Sequence, residues 1–322
     1  MKAIIKMTPI GVINMIIVKS RWLAWRAAIL IGAASMAAQA AAEMKPFILA
    51  STYSGEIADK VDSVKKSLED NGFEIVGEYS PYPTADIIVV TNAALKKAGA
   101  SNERAGYIAA QRVTLTKVGD EVQIAYTNPV YMAAAYRAKG DMTSVRNALK
   151  AALGEVKEYG PAEGMTAEDL EDYHYTFGME YFDEPYLLAD YSSHKDAIDA
   201  VEKGLAAHKG GTTKVYRIDI PGTKQTLYGV SMKAGEDGNK YMDETFIMGE
   251  IDFKPVRSTG HLPYDMLVDG GEVEALHARF RIAMNFPDLS MMGANSFMNI
   301  MPSPDAIKES LTKAAGGKVE DF

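Results

Sequence analysis

The residues whose types and spacing carry the most chemistry lie near the C-terminal end of the 322-residue chain. From Val273 to Ala283 the pattern alternates. Leu276, Ala278, Phe280 and Ile282 fall on one face of a strand, and His277, Arg279 and Arg281 on the other. Two guanidinium groups two residues apart on a strand stand about 7 Å apart. That spacing holds a carboxylate or a phosphate; the competing reading is pairing with the chain's own Asp and Glu. Met284, Met291, Met292, Met298 and Met301 follow closely, in a chain with 18 Met. Thioethers are soft ligands that select Cu(I), and His261 or His277 could join them. The competing reading is flexible core filler. Asn285 lies in the same region, within Ile282–Met291, which echoes Ile124–Met132. The echo makes Asn128, Tyr131 and Asn285 further candidates for ligand contact. The turn Tyr126-Thr127-Asn128-Pro129 also has a structural explanation, because Asn bonds local backbone and Pro stops a strand.

Other chemistries find little support. The five His are dispersed, and there is no H-E-x-x-H, nucleophile elbow, P-loop or dinucleotide fingerprint. His174 sits among aromatic residues, where a hydrogen-bonded packing role fits better than a metal. The chain has no Cys, which removes disulfides, thiolate metal sites and Cys nucleophiles together. Enzymatic activity is left uncertain, with binding the favoured class and no cofactor expected unless copper.

The first 42 residues hold five basic residues and no acid, then an apolar run Ala27–Ala38 ending in Ala38-Gln39-Ala40. This reads as a signal peptide and so as an exported, periplasmic protein. An uncleaved inner-membrane anchor is the alternative, although the run is shorter than the roughly 20 residues of a membrane span. A second apolar stretch, Ile10–Val18, is consistent with a true start at Met15. Removing this segment takes the formal net charge from −9 to −14. Such an acidic protein repels phosphates, so no nucleic-acid partner is expected. The partner expected is a small molecule or a periplasmic protein.

The elements that must position these residues come in two rounds. In the first, Phe47–Ala50 is a strand, and Ile57, Val61, Val64 and Leu68 make one helical face capped at Ser54. Strands follow at Phe73–Tyr79 and Asp86–Thr91, then a loop rich in Ala, Gly and Asn. A hairpin pairs Arg112–Val118 with Glu121–Tyr126 about Gly119-Asp120. Asp141 caps a closing helix carrying Val145, Leu149 and Leu153. Residues 155–184 form a connector with a short helix capped by Thr166. Its aromatic cluster, Tyr173, Tyr175, Phe177, Tyr181 and Phe182, reads as a packed strap, with an aromatic ligand cage as the alternative. The second round repeats the order from Pro185 onward. It has a helix capped by Ser192 or Ser193, strands Lys214–Ile220 and Thr226–Met232, and a closing helix opened by Ser303-Pro304.

Residues 106–132 resemble the domain-of-unknown-function 302 family of small bacterial domains. The carrying pattern is the Gly-Asp hairpin tip followed by Val122-x-Ile124-x-Tyr126-Thr127-Asn128-Pro129-x-Tyr131. Residues 260–291 resemble a diverged second copy with Met284 in place of the Tyr. The resemblance implies a β-α-β4-α fold similar to the TATA-binding protein, and paired units of the kind one chain could supply as an internal pseudo-dimer. It implies no catalytic residue and no cofactor. The expectation is therefore an α+β protein, a tandem duplication with antiparallel sheets and helices on one face. Its parts are a signal peptide (1–42), a first copy (43–154), a connector (155–184) and a second copy (185–322). It binds a small anionic or amphipathic ligand, or a protein, near Arg279 and Arg281.

Overall fold

Alternation that buries one side chain against helices and the next against a facing sheet sets the architecture. The computed structural model describes residues 42–319 except 177, 236 and 237, so the expected signal segment lies outside the described residues. The first half runs β1 (Phe47–Ser54), α1 (Val61–Asp70), β2 (Glu74–Tyr82), β3 (Ala85–Thr91), α2 (Ala93–Gly99), β4 (Gln111–Val118) and β5 (Glu121–Thr127). It closes with α3 (Pro129–Ala135), α4 (Met142–Leu153) and β6 (Lys157–Tyr159). A short α5 (Ala167–Glu171) lies in the connector. The second half runs β7 (Tyr186–Asp190), α6 (His194–Ala206), β8 (Thr212–Asp219), β9 (Gln225–Met232), α7 (Glu244–Ile251), β10 (Tyr264–Asp269) and β11 (Glu272–Ala275). It ends with α8 (Ala278–Asn285) and α9 (Ser303–Ala315). Among the described residues there are two antiparallel sheets, ordered β2-β3-β4-β5-β1-β6 and β7-β11-β10-β9-β8. Apart from β6, the two orders correspond strand for strand.

Register separates the two faces of each sheet. Ile48, Tyr126, Val113 and Ile88 lie side by side across four strands. The Tyr126 hydroxyl reaches the Gly154 carbonyl just past α4, so this face carries the helices. The opposite face presents Arg112, Thr116, Gln123 and Thr127. In the second sheet Tyr228 bonds Glu202 on α6, while Asp265, Gly229 and Tyr216 share the other face. The two inner faces meet. Arg112 and Asp265, each the second residue of the fourth strand of its half, form a buried ion pair that the Tyr216 hydroxyl joins.

Each half also lends the other a short 3-10 turn. In the turn Ala105–Ala109, Gly106 donates to Gln225 Oε1, and a Cβ there would strike Leu267 of β10. In the turn Thr259–His261, Gly260 lies against Phe47 and Thr127, and Thr259 bonds Thr116 at 2.8 Å. A Cβ at Gly106 would force the Gln225 and Leu267 side-chain ends to shift, and one at Gly260 would sit tightly, 3.2 Å from Phe47.

Several expectations change. The arm Val273–Ala283 is not one strand: β11 stops at Ala275, and α8 begins at Ala278 with His277 as its cap. Nearly every residue of α8 is buried, so the alternation read from the sequence was not that of a half-exposed strand. The loop after Thr91 contains α2, capped by the Asn92 side chain. Ser54 ends β1 rather than capping a helix, and α1 starts at Val61. The first residues assigned to the connector form β6, paired on β1. The strap is packed in part: Phe182 stacks on Tyr136 and Tyr173 donates to the Ala283 carbonyl, while Tyr175 lines a groove. Phe177 lies outside the described residues.

Candidate functional site

The candidate site forms where α8 meets the connector. Helix α8 begins at His277 because the imidazole Nδ1 accepts the Arg279 backbone N–H at 3.3 Å. That bond requires a bare Nδ1, so the ring proton sits on Nε2, which faces Glu180 Oε1 at 3.2 Å. Burial, helped by Arg279 and Lys308, pushes the His277 pKa down to about 3. The ring is therefore a neutral donor to Glu180. The same carboxylate oxygen accepts Arg279 Nη2 at 2.6 Å. Arg279 remains partly exposed, and its buried Nε has no partner among the described residues.

Beside this polar cluster runs a groove with about 380 Å³ of empty space, part of it open to solvent. Ile282, Ala283 and Phe286 come from α8 and its end, and Tyr175 and Met179 from the connector. Leu289, Met291 and Phe297 belong to the loop before α9. Arg279 is the single charged residue among its lining side chains. An apolar trough ending at one guanidinium matches a molecule with an apolar body and an anionic head.

The other sequence candidates are placed as follows. Arg281 does not share a face with Arg279. It is buried, lies 4.2 Å above the Tyr264 ring, and donates to the carbonyls of His261 and Pro263. The two-arginine clamp is thus replaced by one accessible guanidinium and one internal one. Asn128 is buried as the cap of α3, accepting Val130 N–H at 3.2 Å and donating to the Lys45 carbonyl at 2.9 Å. Tyr131 is buried, and its hydroxyl donates across the halves to the Met284 carbonyl at 2.7 Å. Asn285 donates to the Arg281 carbonyl at 2.9 Å and lines a different, smaller cavity. None of these three lines the groove.

Met284 is core, fully buried. Met291, Met292, Met298 and Met301 are exposed, Met292 at 72 %. The core-filler reading holds for the first and fails for the other four. His261 is buried against Tyr264 and Phe286, and the His277 Nε2 faces Glu180, so neither imidazole is displayed with those methionines. Among the described residues no cluster of three or more His, Asp or Glu could hold a metal.

Sequence reading missed Glu180, Met179 and the far wall of Phe286, Leu289 and Phe297. The aromatic richness of the connector was the available signal for one wall. Nothing in local spacing brings residue 180 to residue 279. Among the described residues no helix is long and apolar enough to cross a membrane. Comparison with family models, with curated proteins and with solved structures returns no match.

Proposed function

We propose that this is an exported binding protein for a small amphipathic anion, without catalytic activity. The apolar body of the ligand lies in the groove of Ile282, Phe286, Leu289 and Phe297, and its head displaces Glu180 from part of the Arg279 guanidinium. The observation that carries this reading is an apolar groove that ends at a single, partly exposed guanidinium. The enclosed space is narrow, about 30 Å³, so a ligand is seated only as the groove walls move apart, which favours a thin single chain over a bulky ring system. Exposed Met291 at the lip adds an adaptable apolar wall. We also take the two rounds of elements to be a duplication of the kind that the resemblance of residues 106–132 implies. The test is calorimetric titration with a series from butanoate to dodecanoate. Affinity should rise by up to about 0.8 kcal/mol per methylene until the groove is full, then level off. Affinity independent of chain length would refute the groove.

A second reading has its own observation. Met298 N–H donates to the Met291 carbonyl at 3.1 Å, and Met301 N–H to the Met298 carbonyl at 3.4 Å, so three exposed methionines sit on adjoining turns. Their thioethers would offer Cu(I) a soft site. An anaerobic Cu(I) titration against a competing chelator decides it. Binding weaker than about micromolar, roughly −8 kcal/mol, removes copper from consideration.

A further inference from the structure

A larger open cleft lies elsewhere, where the β2–β3 turn and β4 of one half face α7 of the other. It holds about 960 Å³ of empty space, part of it open to solvent. One wall presents Tyr82, Thr84, Thr116 and Lys117; the other presents Thr245, Asp252, Phe253 and Arg257. The loop carrying the last three is tied to the first half through Pro255 and Arg257. Gln123 Nε2 donates to the Pro255 carbonyl at 2.7 Å, and its Oε1 accepts Arg257 N–H at 2.9 Å. Tyr159 donates to the Arg257 carbonyl at 2.7 Å. Asp252 Oδ1 accepts Ser258 N–H at 2.8 Å, closing the loop on itself.

This much anchoring holds two side chains in position over the cleft. Phe253 is 47 % exposed, although a Phe on a well-anchored loop gains nothing from facing water. Arg257 spends one nitrogen on the Asp252 carbonyl and lines the cleft. Asp252 itself is buried, its pKa pushed up by burial to about 7. The hydroxyls of Tyr82 and Thr116 bond Thr259, and that of Thr245 bonds the Pro81 carbonyl, so each keeps a lone pair for a further donor. An aromatic face, a planar cation and such hydroxyls suit a sugar ring carrying a carboxylate. C–H bonds of the ring lie on the aromatic face, hydroxyls bond hydroxyls, and the carboxylate meets the guanidinium. Asp252 is the only carboxyl among the residues lining the cleft, so the paired carboxyls of a glycosidase are missing there and the site binds rather than cleaves.

We propose that this cleft between the halves is a second, independent site for a sugar acid of the hexuronate class. The experiment is calorimetry of the full chain with D-glucuronate, D-glucose and benzoate. Glucuronate should bind in the millimolar range, with glucose about tenfold weaker for want of the carboxylate. Phe253→Ala removes an exposed ring without touching the anchors, so it should fold normally and weaken both sugars about tenfold. Arg257→Gln should reduce glucuronate to the level of glucose. Arg279→Gln, in the groove, should leave glucuronate binding unchanged, which separates this site from the proposed groove. The proposal is overturned if glucuronate gives no binding heat, if its binding is the same in Phe253→Ala and Arg257→Gln as in wild type, or if benzoate is preferred.

Discussion

At the scale of single residues, His277 links the site to stability. Its ordinary pKa is 6.5 and its folded value is about 3, held down by burial and by Arg279 and Lys308, with Glu180 facing Nε2. Between those values the unfolded chain takes up a proton that the folded chain refuses. Stability therefore falls as pH is lowered from about 6.5 toward 3, by at most about 1.4 kcal/mol per unit. His277→Asn keeps a cap acceptor and cannot titrate. Urea unfolding across that window should show a shallower pH dependence than wild type; identical slopes would mean that His277 titrates normally. The Arg112–Asp265 pair sits at the centre of the interface and is buried on both sides. Asp265→Ala leaves the guanidinium without its counter-ion and should cost about 3–5 kcal/mol in urea unfolding. Neither partner was legible in the sequence, since 153 positions separate them and no local pattern marks a cross-sheet pair. Asn128 was legible as a structural residue because its cap is a contact over two residues.

At the scale of elements, legibility followed exposure. Helix α1 buries Val64 and Leu68 and exposes the rest of a turn, so its period shows. The β4–β5 hairpin carries its own turn signal in Gly119-Asp120. Helix α8 is surrounded, and a segment buried on all sides has no face to give it a period. Its short run of Ala, Phe, Ile and Arg alternates by composition, and that was read as a strand. Close crossings were also invisible. Gly204 on α6 meets α9 so tightly that a Cβ would lie 1.9 Å from the Ala314 carbonyl oxygen. Ala is the better helix former by about 1 kcal/mol, yet here the backbone of α9 must move, and such overpacking costs about 1–3 kcal/mol. Gly204→Ala should therefore lower the thermal midpoint; a rise would contradict the tight crossing.

At the scale of the whole molecule, the first strand and helix of each round, the β4–β5 hairpin and the closing helices were read from the sequence, whereas α2, α3, α7 and β6 were not. What the sequence withheld was how the rounds engage. Each half covers the inner face of the other with a glycine-bearing turn, and polar inner residues such as Arg112, Thr116 and Gln123 find their partners only across the interface. Residues 43–184 and 185–322 produced separately should each fail to unfold cooperatively, because those groups would be left without partners. The intact chain should unfold in one transition by circular dichroism. Two independent transitions, or cooperative isolated halves, would contradict the mutual clasp. The central claim concerns the groove, and a double cycle of ligand head and protein cation tests it most directly. Decanoate and decanol are titrated into wild type and into Arg279→Gln. Wild type should prefer decanoate and the variant should lose the preference, a coupling of about 1–3 kcal/mol. Equal preference in both proteins, or no binding of either ligand, would contradict it.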